Sequence, residues 1–198
     1  IDMNPIIYKL RKALFTLLTR NVIRRSKRII VPTDYVKGDL DEWTHHRYSD
    51  KFVRIYESGD MIHAAPEAIK PLAGKRYLFF VGNAFPYKNV GLIVDAFVEL
   101  KEKYPDMHLA LAGKKDFFYE EIERSIKERG IQDVHILGYI SDGEKRWAMQ
   151  NALSYVVASL SEGFHIPLLE AMHEHCPVLA SNATCLPEIY GDAAHYFD

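Results

Sequence analysis

Short apolar runs alternate with amphipathic segments from Arg76 to the end of the chain. The first run, Tyr77–Val81, is apolar throughout, which is typical of a strand buried on both faces of a parallel sheet. Because such strands are joined by helical crossovers, the pattern predicts an α/β fold, a Rossmann-like parallel sheet with helices on both faces. The predicted strands are 77–81, 107–112, 134–137, 153–157 and 178–180, and the predicted helices are 90–103, 119–129, 142–150 and 167–173.

The part of the chain before Arg76 is less regular. A predicted strand, 28–31, is followed by Thr33, which we expect to cap a helix that runs to about Trp43. Another candidate strand, 52–56, precedes a poorly periodic stretch with glycine and proline, as is typical of a connection. We therefore predict three parts: the end of an N-terminal domain at 1–56, a linker at 57–75, and the Rossmann-like domain at 76–198.

The N-terminal stretch, residues 1–31, is strongly basic. Residues 1–31 carry eight basic side chains and one acidic side chain, although the whole chain has a formal net charge of −2. Between Ile6 and Ile23 the apolar residues recur at helical spacing, and the opposite face is basic. We expect a helix that packs through its leucines. Such a helix also suits an anionic membrane surface or a nucleic acid; we keep a peripheral membrane contact as the alternative and predict no nucleic-acid partner.

The composition excludes several classes of protein. With 48% hydrophobic and 12% aromatic residues the chain is not intrinsically disordered, and no apolar run approaches the ~20 residues that span a bilayer. Cys176 and Cys185 are too few for a disulfide framework, and no secretory signal is visible. We therefore predict a cytoplasmic protein.

Ligands of open parallel sheets bind beyond the carboxyl ends of the strands, so the loops there are the candidate sites. The loop after the first buried strand runs from Gly82 to Asn89. Gly82 allows a ligand to approach the backbone closely, and Lys88 stands at a predicted helix N-terminus, where phosphate binds favourably. The alternative is an ordinary strand-to-helix turn with a surface lysine.

The loop after the strand 153–157 leads into another predicted helix. Pro167 fits the first helical position, because the missing N–H of proline costs nothing there. The positive end of this helix favours an anion. The backbone amides expected at that end belong to Phe164, His165 and Ile166.

Two glutamates flank this helix start. Glu170 falls in the first turn and suits the two hydroxyls of a ribose, whereas Glu162 precedes the helix and suits another part of the same ligand. A separation of eight residues, about 12 Å along a continuous helix, predicts separate roles rather than a shared proton. The alternative is that both side chains only stabilise the helix start.

Four motifs then follow one another in the order Ser161–Met172 (SEGFHIPLLEAM), Pro177-Val178, Leu186-Pro187-Glu188 and Gly191-Asp192-Ala193. They closely resemble the retaining glycosyltransferases of the GT-B fold, family four (glycosyl transferases group 1). That family has E-G-F-G-x-P-x-x-E-A-M, then P-V, then L-P-E-x-x-G-D-A. The stretch 81–89 is similar to the first donor loop of the family. The resemblance covers 77–198 and implies that 1–56 is the end of an acceptor domain.

The resemblance implies a role for individual residues. Glu162, near the donor sugar, and Lys88, which neutralises the diphosphate, are the implied catalytic residues. Glu170 is implied to bind the ribose hydroxyls, and Tyr139 and Ile140 to hold the base, largely through main-chain atoms. The donor is a nucleoside-diphosphate sugar, and no cofactor and no metal are implied. The further implied donor-binding residues are Gly82, Asn83, Gly163, Phe164, His165 and Ile166.

Some residues depart from the family pattern. Asn83 stands near a position where the family often has arginine, which removes one phosphate-binding cation. His165 replaces a glycine, so a positive φ would be strained there, and the imidazole adds a titratable group. Residues 173–176 (HEHC) are of metal-binding types, but side chains two apart diverge on a helix, so we predict no metal site. Asp39 and Asp41 lie within a predicted helix and are interpreted as surface residues.

We therefore expect a retaining hexosyltransferase that moves a mannose- or glucose-type sugar to a glycan or lipid-linked acceptor in cell-surface polysaccharide synthesis. A non-catalytic nucleotide-sugar-binding module and a nucleotide-sugar epimerase of the same fold are the alternatives. A two-domain transferase needs ~150 or more residues per domain. We therefore expect the 198 residues to be a fragment that is incomplete for catalysis.

Overall fold

The computed structural model describes residues 5–59 and 62–198, which divide into two compact units, Ile1–Tyr56 and Glu57–Asp198. Residues 1–4 of the predicted N-terminal domain and 60–61 of the predicted linker lie outside the described residues. Each unit has a hydrophobic core of its own.

The first unit is built around two short parallel strands. Ile29 pairs with Phe52 across them, and Ile23, Val31 and Phe52 form a small buried core. Thr33 caps the second helix as predicted, because its hydroxyl accepts a hydrogen bond from the amide of Val36 at 3.1 Å. The elements are α1 (Pro5–Arg25), β1 (Ile29–Val31), α2 (Asp34–Trp43) and β2 (Phe52–Arg54).

Helix α1 forms where the periodicity predicts it, but the expected packing of its leucines is wrong. Leu10, Leu14 and Leu17 are 70%, 56% and 65% exposed. Among the described residues of α1, Ile23 is the buried one. The apolar face is exposed because no other described element of this unit lies over it.

The second unit contains a parallel sheet of six strands among the described residues, with helices between them. Its strands are β3 (Arg76–Val81), β4 (Met107–Ala112), β5 (Val134–Gly138), β6 (Ser154–Val157), β7 (Val178–Ser181) and β8 (His195–Phe197). Its helices are α3 (Val90–Lys103), α4 (Phe117–Glu128), α5 (Asp142–Asn151), α6 (Ile166–His173) and α7 (Leu186–Tyr190).

The strand order of this sheet is β5-β4-β3-β6-β7-β8. Phe79 of β3 pairs with Ala110 of β4 on one side and with Tyr155 of β6 on the other, always in parallel. One hydrophobic core lies on each face, with Phe97 of α3 in one and Leu168 of α6 in the other. The predicted α/β fold with helices on both faces is therefore confirmed.

The differences from the predicted elements have local causes. Helix α4 begins earlier than predicted because the carboxylate of Asp116 accepts hydrogen bonds from the amides of Phe118 and Tyr119. Helix α6 begins at Ile166, which moves Pro167 to the second helical position. Helix α7 and strand β8 are too short for a periodic signal and were not predicted. Within residues 5–59 and 62–198, no helix combines the length and apolar character needed to cross a bilayer.

Candidate active site

The loops that follow β3 and β6 meet at the point where the strand order reverses. The chain proceeds from β3 outward to β5 on one side and from β6 outward to β8 on the other. A crevice at the carboxyl ends of the two central strands is the usual ligand site of such sheets. The two loops are in direct contact, because the amide of Leu160 donates to the carbonyl of Tyr87 at 2.7 Å.

Lys88 and Glu162 form an ion pair across this crevice. Lys88 Nζ lies 2.6 Å from Glu162 Oε1, and the two side chains are only 11% and 8% exposed. Burial opposes ionisation of Glu162, but its contacts with His165 and Lys88 lower its pKa to about 2. The alternative interpretation of Lys88 as a surface lysine is therefore wrong.

His165 is the third member of this cluster. Its side chain is 2% exposed. Its Nδ1 lies 3.1 Å from Glu162 Oε1 and 3.3 Å from Lys88 Nζ, and its Nε2 lies 3.3 Å from the hydroxyl of Tyr155. That hydroxyl also donates to the carbonyl of Val81 at 3.1 Å. The imidazole thus links the ion pair to the sheet.

The backbone of His165 has the positive φ that the sequence marked as strained. Its φ is 80° and its ψ is 66°, the left-handed region, immediately before α6. The hydroxyl of Tyr190, in α7, lies 2.5 Å from the carbonyl of His165 and 2.9 Å from that of Phe164. Tyr190 therefore holds the strained turn, and its position in the chain gave no sign of this role.

Glu170, one turn into α6, has a cation beside it. Its Oε1 lies 2.9 Å from the Nζ of Lys145, and the side chains are 13% and 18% exposed. Lys145 also lies 3.5 Å from Asp142 within α5. Lys145 was not among the predicted site residues, although its place just after the predicted base-binding residues was a usable signal.

The backbone of Glu162 is fixed by the segment that follows β7. The hydroxyl of Thr184 accepts a hydrogen bond from the amide of Glu162 at 3.0 Å, and the thiol of Cys185 donates to its carbonyl at 3.3 Å. Burial raises the pKa of the Cys185 thiol to about 11. Cys185 is therefore a protonated structural donor, and its role was not predicted.

The remaining residues of the first loop support its shape. The carbonyl of Gly82 accepts a hydrogen bond from the hydroxyl of Tyr119 at 3.0 Å, and Gly82 has a φ of 156°. Asn83 caps its own loop, because its side-chain oxygen accepts from the amide of Phe85 at 3.3 Å. Gly113 packs so closely against this loop that a Cβ there would overlap the carbonyl of Gly82.

The other predicted donor-binding residues follow the carboxyl ends of β5 and β6. Tyr139 follows β5 and is 86% exposed, whereas Ile140 packs against the core. Phe164 is buried, and Gly163 and Ile166 are exposed on either side of the turn that leads into α6. Lys88, Glu162 and His165 contact one another. Glu170 contacts Lys145 instead.

In the part of the chain that the structure describes, no group of three metal-ligating side chains is gathered. Within the segment 173–176, Glu174 instead pairs with Arg146 at 3.1 Å. Asp41 accepts a hydrogen bond from Ser49 and contacts His46, all within the first unit.

The model of one family, the glycosyl transferases group 1, matches residues 64–197. The chain belongs to this family. It is 30% identical over 184 residues to the O-antigen chain mannosyltransferase B of Escherichia coli, covering 85% of this chain and 46% of that protein. It is 31% identical over 135 residues to the phosphatidyl-myo-inositol mannosyltransferase of Mycobacterium leprae, covering 67% and 35%.

Solved structures agree with this family fold. The crystal structure of Anabaena HepE in complex with UDP and glucose superposes with a TM-score of 0.76 at 18% identity, covering 91% of this chain and 52% of that one. The galactosyltransferase WaaB of the lipopolysaccharide outer core superposes with a TM-score of 0.62 at 19% identity, covering 87% and 48%. The chain spans about half the length of the curated relatives it matches first. The resemblance to GT-B glycosyltransferases is confirmed.

Proposed function

We propose that the protein transfers a hexose of the mannose or glucose type from a nucleoside-diphosphate sugar to a glycan or lipid-linked acceptor, with retention at the anomeric carbon. The buried pair Lys88–Glu162 at the switch point of the sheet carries the proposal. A cation and a carboxylate held together in a crevice suit a ligand with a charged leaving group next to a reacting centre. The mannosyltransferases among the relatives support the sugar class and polysaccharide synthesis.

The diphosphate of the donor is proposed to lie between Lys88 and the N-terminus of α6. The helix dipole favours an anion there by about 0.3–1 kcal/mol, and up to ~2 kcal/mol in a partly buried site. Phe164, His165 and Ile166 contribute backbone at this end. Lys88 supplies the full positive charge that Asn83 does not.

The nucleoside is proposed to lie toward α5. Glu170 accepts hydrogen bonds from the ribose hydroxyls, and its contact with Lys145 orients the carboxylate. Tyr139 and Ile140 contact the base mainly through main-chain atoms. The exposed ring of Tyr139 leaves that part of the crevice open to a planar ligand.

In the transfer step, the bond between the anomeric carbon and the diphosphate oxygen breaks, and its electron pair stays on the diphosphate. Lys88 stabilises this developing charge. The oxygen of the acceptor hydroxyl forms the new bond on the same face of the sugar, and its proton passes to the departing diphosphate oxygen. Glu162 lies beside the donor sugar, and no metal or cofactor is required in this scheme.

Donor binding tests the proposal. Calorimetry with UDP-glucose, GDP-mannose and ADP-glucose identifies the base, and Lys88→Ala and Glu170→Ala then raise the Kd about 10- to 100-fold, the effect of losing a hydrogen bond to a charged group. Lys127→Ala, at a lysine that is 73% exposed, is the matched control and leaves the Kd unchanged. Unchanged donor binding in both site variants contradicts the proposal. Glu162→Ala should reduce transfer more than binding.

A non-catalytic module that binds nucleotide sugars is the second candidate. Asn83 favours it, because that side chain caps its own loop and offers no charge to the phosphates. Labelled donor added to the whole protein with a lipid and glycan acceptor mixture separates the candidates, since a binding module yields no product. An epimerase converts the donor when no acceptor is present. Retention is checked by the anomeric configuration of the product in NMR spectra.

A further inference from the structure

His165 is a titratable side chain at a position where the family pattern has glycine. Its ring is almost fully buried, yet its Nδ1 faces two groups of opposite charge, Glu162 at 3.1 Å and Lys88 at 3.3 Å. A buried imidazole between an acid and a base is placed to change its protonation state when either partner moves.

The hydrogen-bond partners assign the protons on the imidazole. The hydroxyl of Tyr155 donates to the carbonyl of Val81, so its oxygen accepts from Nε2–H of His165. Lys88 has only donors, so Nδ1, facing Nζ, accepts in that contact. Nδ1 makes a hydrogen bond to Glu162 only when it carries a proton, and it accepts from Lys88 only when it does not, so the two contacts exclude each other.

Movement of Lys88 toward an anion changes this balance. Glu162 would keep its negative charge in a buried position, with the lone pair of His165 Nδ1 pointing at the same carboxylate oxygen 3.1 Å away. An unpaired buried charge is strongly unfavourable. A proton on Nδ1 removes the repulsion and replaces the ion pair by a charge-assisted hydrogen bond.

We infer that His165 takes up a proton when a nucleotide sugar draws Lys88 away from Glu162, so that donor binding is coupled to protonation of this histidine. The inference rests on the proposed function. His165 is a positioning residue: as an imidazolium it holds the Glu162 carboxylate in place beside the sugar, while Lys88 serves the diphosphate. The proton comes from solvent and returns to it when the nucleotide leaves.

The other titratable groups around His165 hold their protons near neutral pH. Burial raises the pKa of Tyr155 and that of Tyr190 far above their usual range. Burial also raises the pKa of the Cys185 thiol to about 11. Lys88 and Glu162 are the charged groups that face the imidazole, and the His165 variants below distinguish the imidazole from Glu162 as the proton acceptor.

Calorimetric titration of the 198-residue chain with a nucleotide sugar tests this inference. Nucleotide sugars are used because their diphosphate does not titrate near neutral pH. Titrations in buffers of different ionisation enthalpy give the number of protons taken up on binding. We expect uptake approaching one proton, and a Kd that increases up to about tenfold per pH unit as the pH rises through the region of uptake.

Two variants and one control assign the proton. Asn tolerates a left-handed backbone and cannot become charged, so His165→Asn should fold and bind without proton uptake. His165→Gly removes the imidazole without backbone strain and should behave alike. His175→Gly is the matched control, because His175 is exposed and also left-handed, with a φ of 57°; it keeps the uptake.

Each outcome decides a separate question. Wild-type binding without proton uptake overturns the inference and leaves the proposed function standing. Uptake that persists in both His165 variants also overturns it, because another group is then the acceptor. If none of UDP-glucose, GDP-mannose and ADP-glucose binds the wild-type chain, the proposed function fails, and the inference fails with it.

Discussion

The low pKa of Glu162 predicts how the stability of the second unit changes in acid. Glu162→Gln removes the titrating carboxylate while keeping its shape. Because the pKa falls from its ordinary 4.5 to about 2 in the folded chain, ionised Glu162 stabilises the fold above pH 4.5, and this contribution is lost as the pH falls toward 2. The side chain is 8% exposed, so solvent screens little of it.

The size of the effect follows from the two pKa values. At 1.36 kcal/mol per pKa unit, the contribution is about 3 kcal/mol at pH 5 and about 1.5 kcal/mol at pH 3. The stability difference between wild type and Glu162→Gln should therefore shrink by about 1.5–2 kcal/mol over this range.

Urea unfolding at pH 5, 4 and 3 measures this difference. In a Trp43→Phe background the fluorescence of Trp147, the other tryptophan of the chain, reports on the second unit. Glu121→Gln is the control, since its exposed pair with Arg124 should give under ~0.5 kcal/mol at any pH. A difference between wild type and Glu162→Gln that stays constant from pH 5 to pH 3 refutes the reasoning.

Three further predictions concern the surroundings of the site and helix α1. Gly113→Ala should destabilise the second unit by about 1–3 kcal/mol, because its Cβ overlaps a backbone carbonyl of the loop after β3; thermal unfolding checks this, with Gly91→Ala, where nothing lies within 4 Å, as the harmless control. Lys145→Ala should raise the donor Kd several-fold in calorimetry by leaving Glu170 without its partner, whereas Lys145→Arg should retain binding. If α1 contacts membranes electrostatically, the chain should sediment with anionic vesicles at low salt and be released by high salt; binding that ignores salt contradicts this.

The elements of the fold were predictable where the hydrophobic pattern extends over enough residues. Continuous apolar runs such as Tyr77–Val81 and helices such as Val90–Lys103 lie where the sequence placed them. Short elements were not predicted, since the five residues of α7 and the three of β8 are too few to show a hydrophobic period. The exposure of the α1 leucines was not predicted either, because periodicity identifies an apolar face but does not show whether another element covers it.

The candidate site was predictable in its loops and not in its contacts. Motifs placed Lys88 and Glu162 on loops that follow two predicted strands, but their pairing joins residues 74 positions apart and needs the strand order. Tyr155, Lys145 and Tyr190 were missed for the same reason. Each acts from an element other than the motif loops, through hydrogen bonds or ion pairs.

The motif loop is held by residues that come later in the chain, and this limits where the domain can be divided when chimeras are made. Thr184 and Tyr190 hold the backbone of Glu162 and His165, although they lie 22 and 25 residues further along the chain than the residues they contact. Consider a chimera in which the chain up to the end of α6 comes from one family member and the rest from another. Its motif loop would then come from one protein, whereas the residues at positions 184 and 190 that contact the loop would come from the other. A junction placed after Tyr190 transfers both together, so exchange of donor specificity between relatives should succeed there and fail at the earlier boundary.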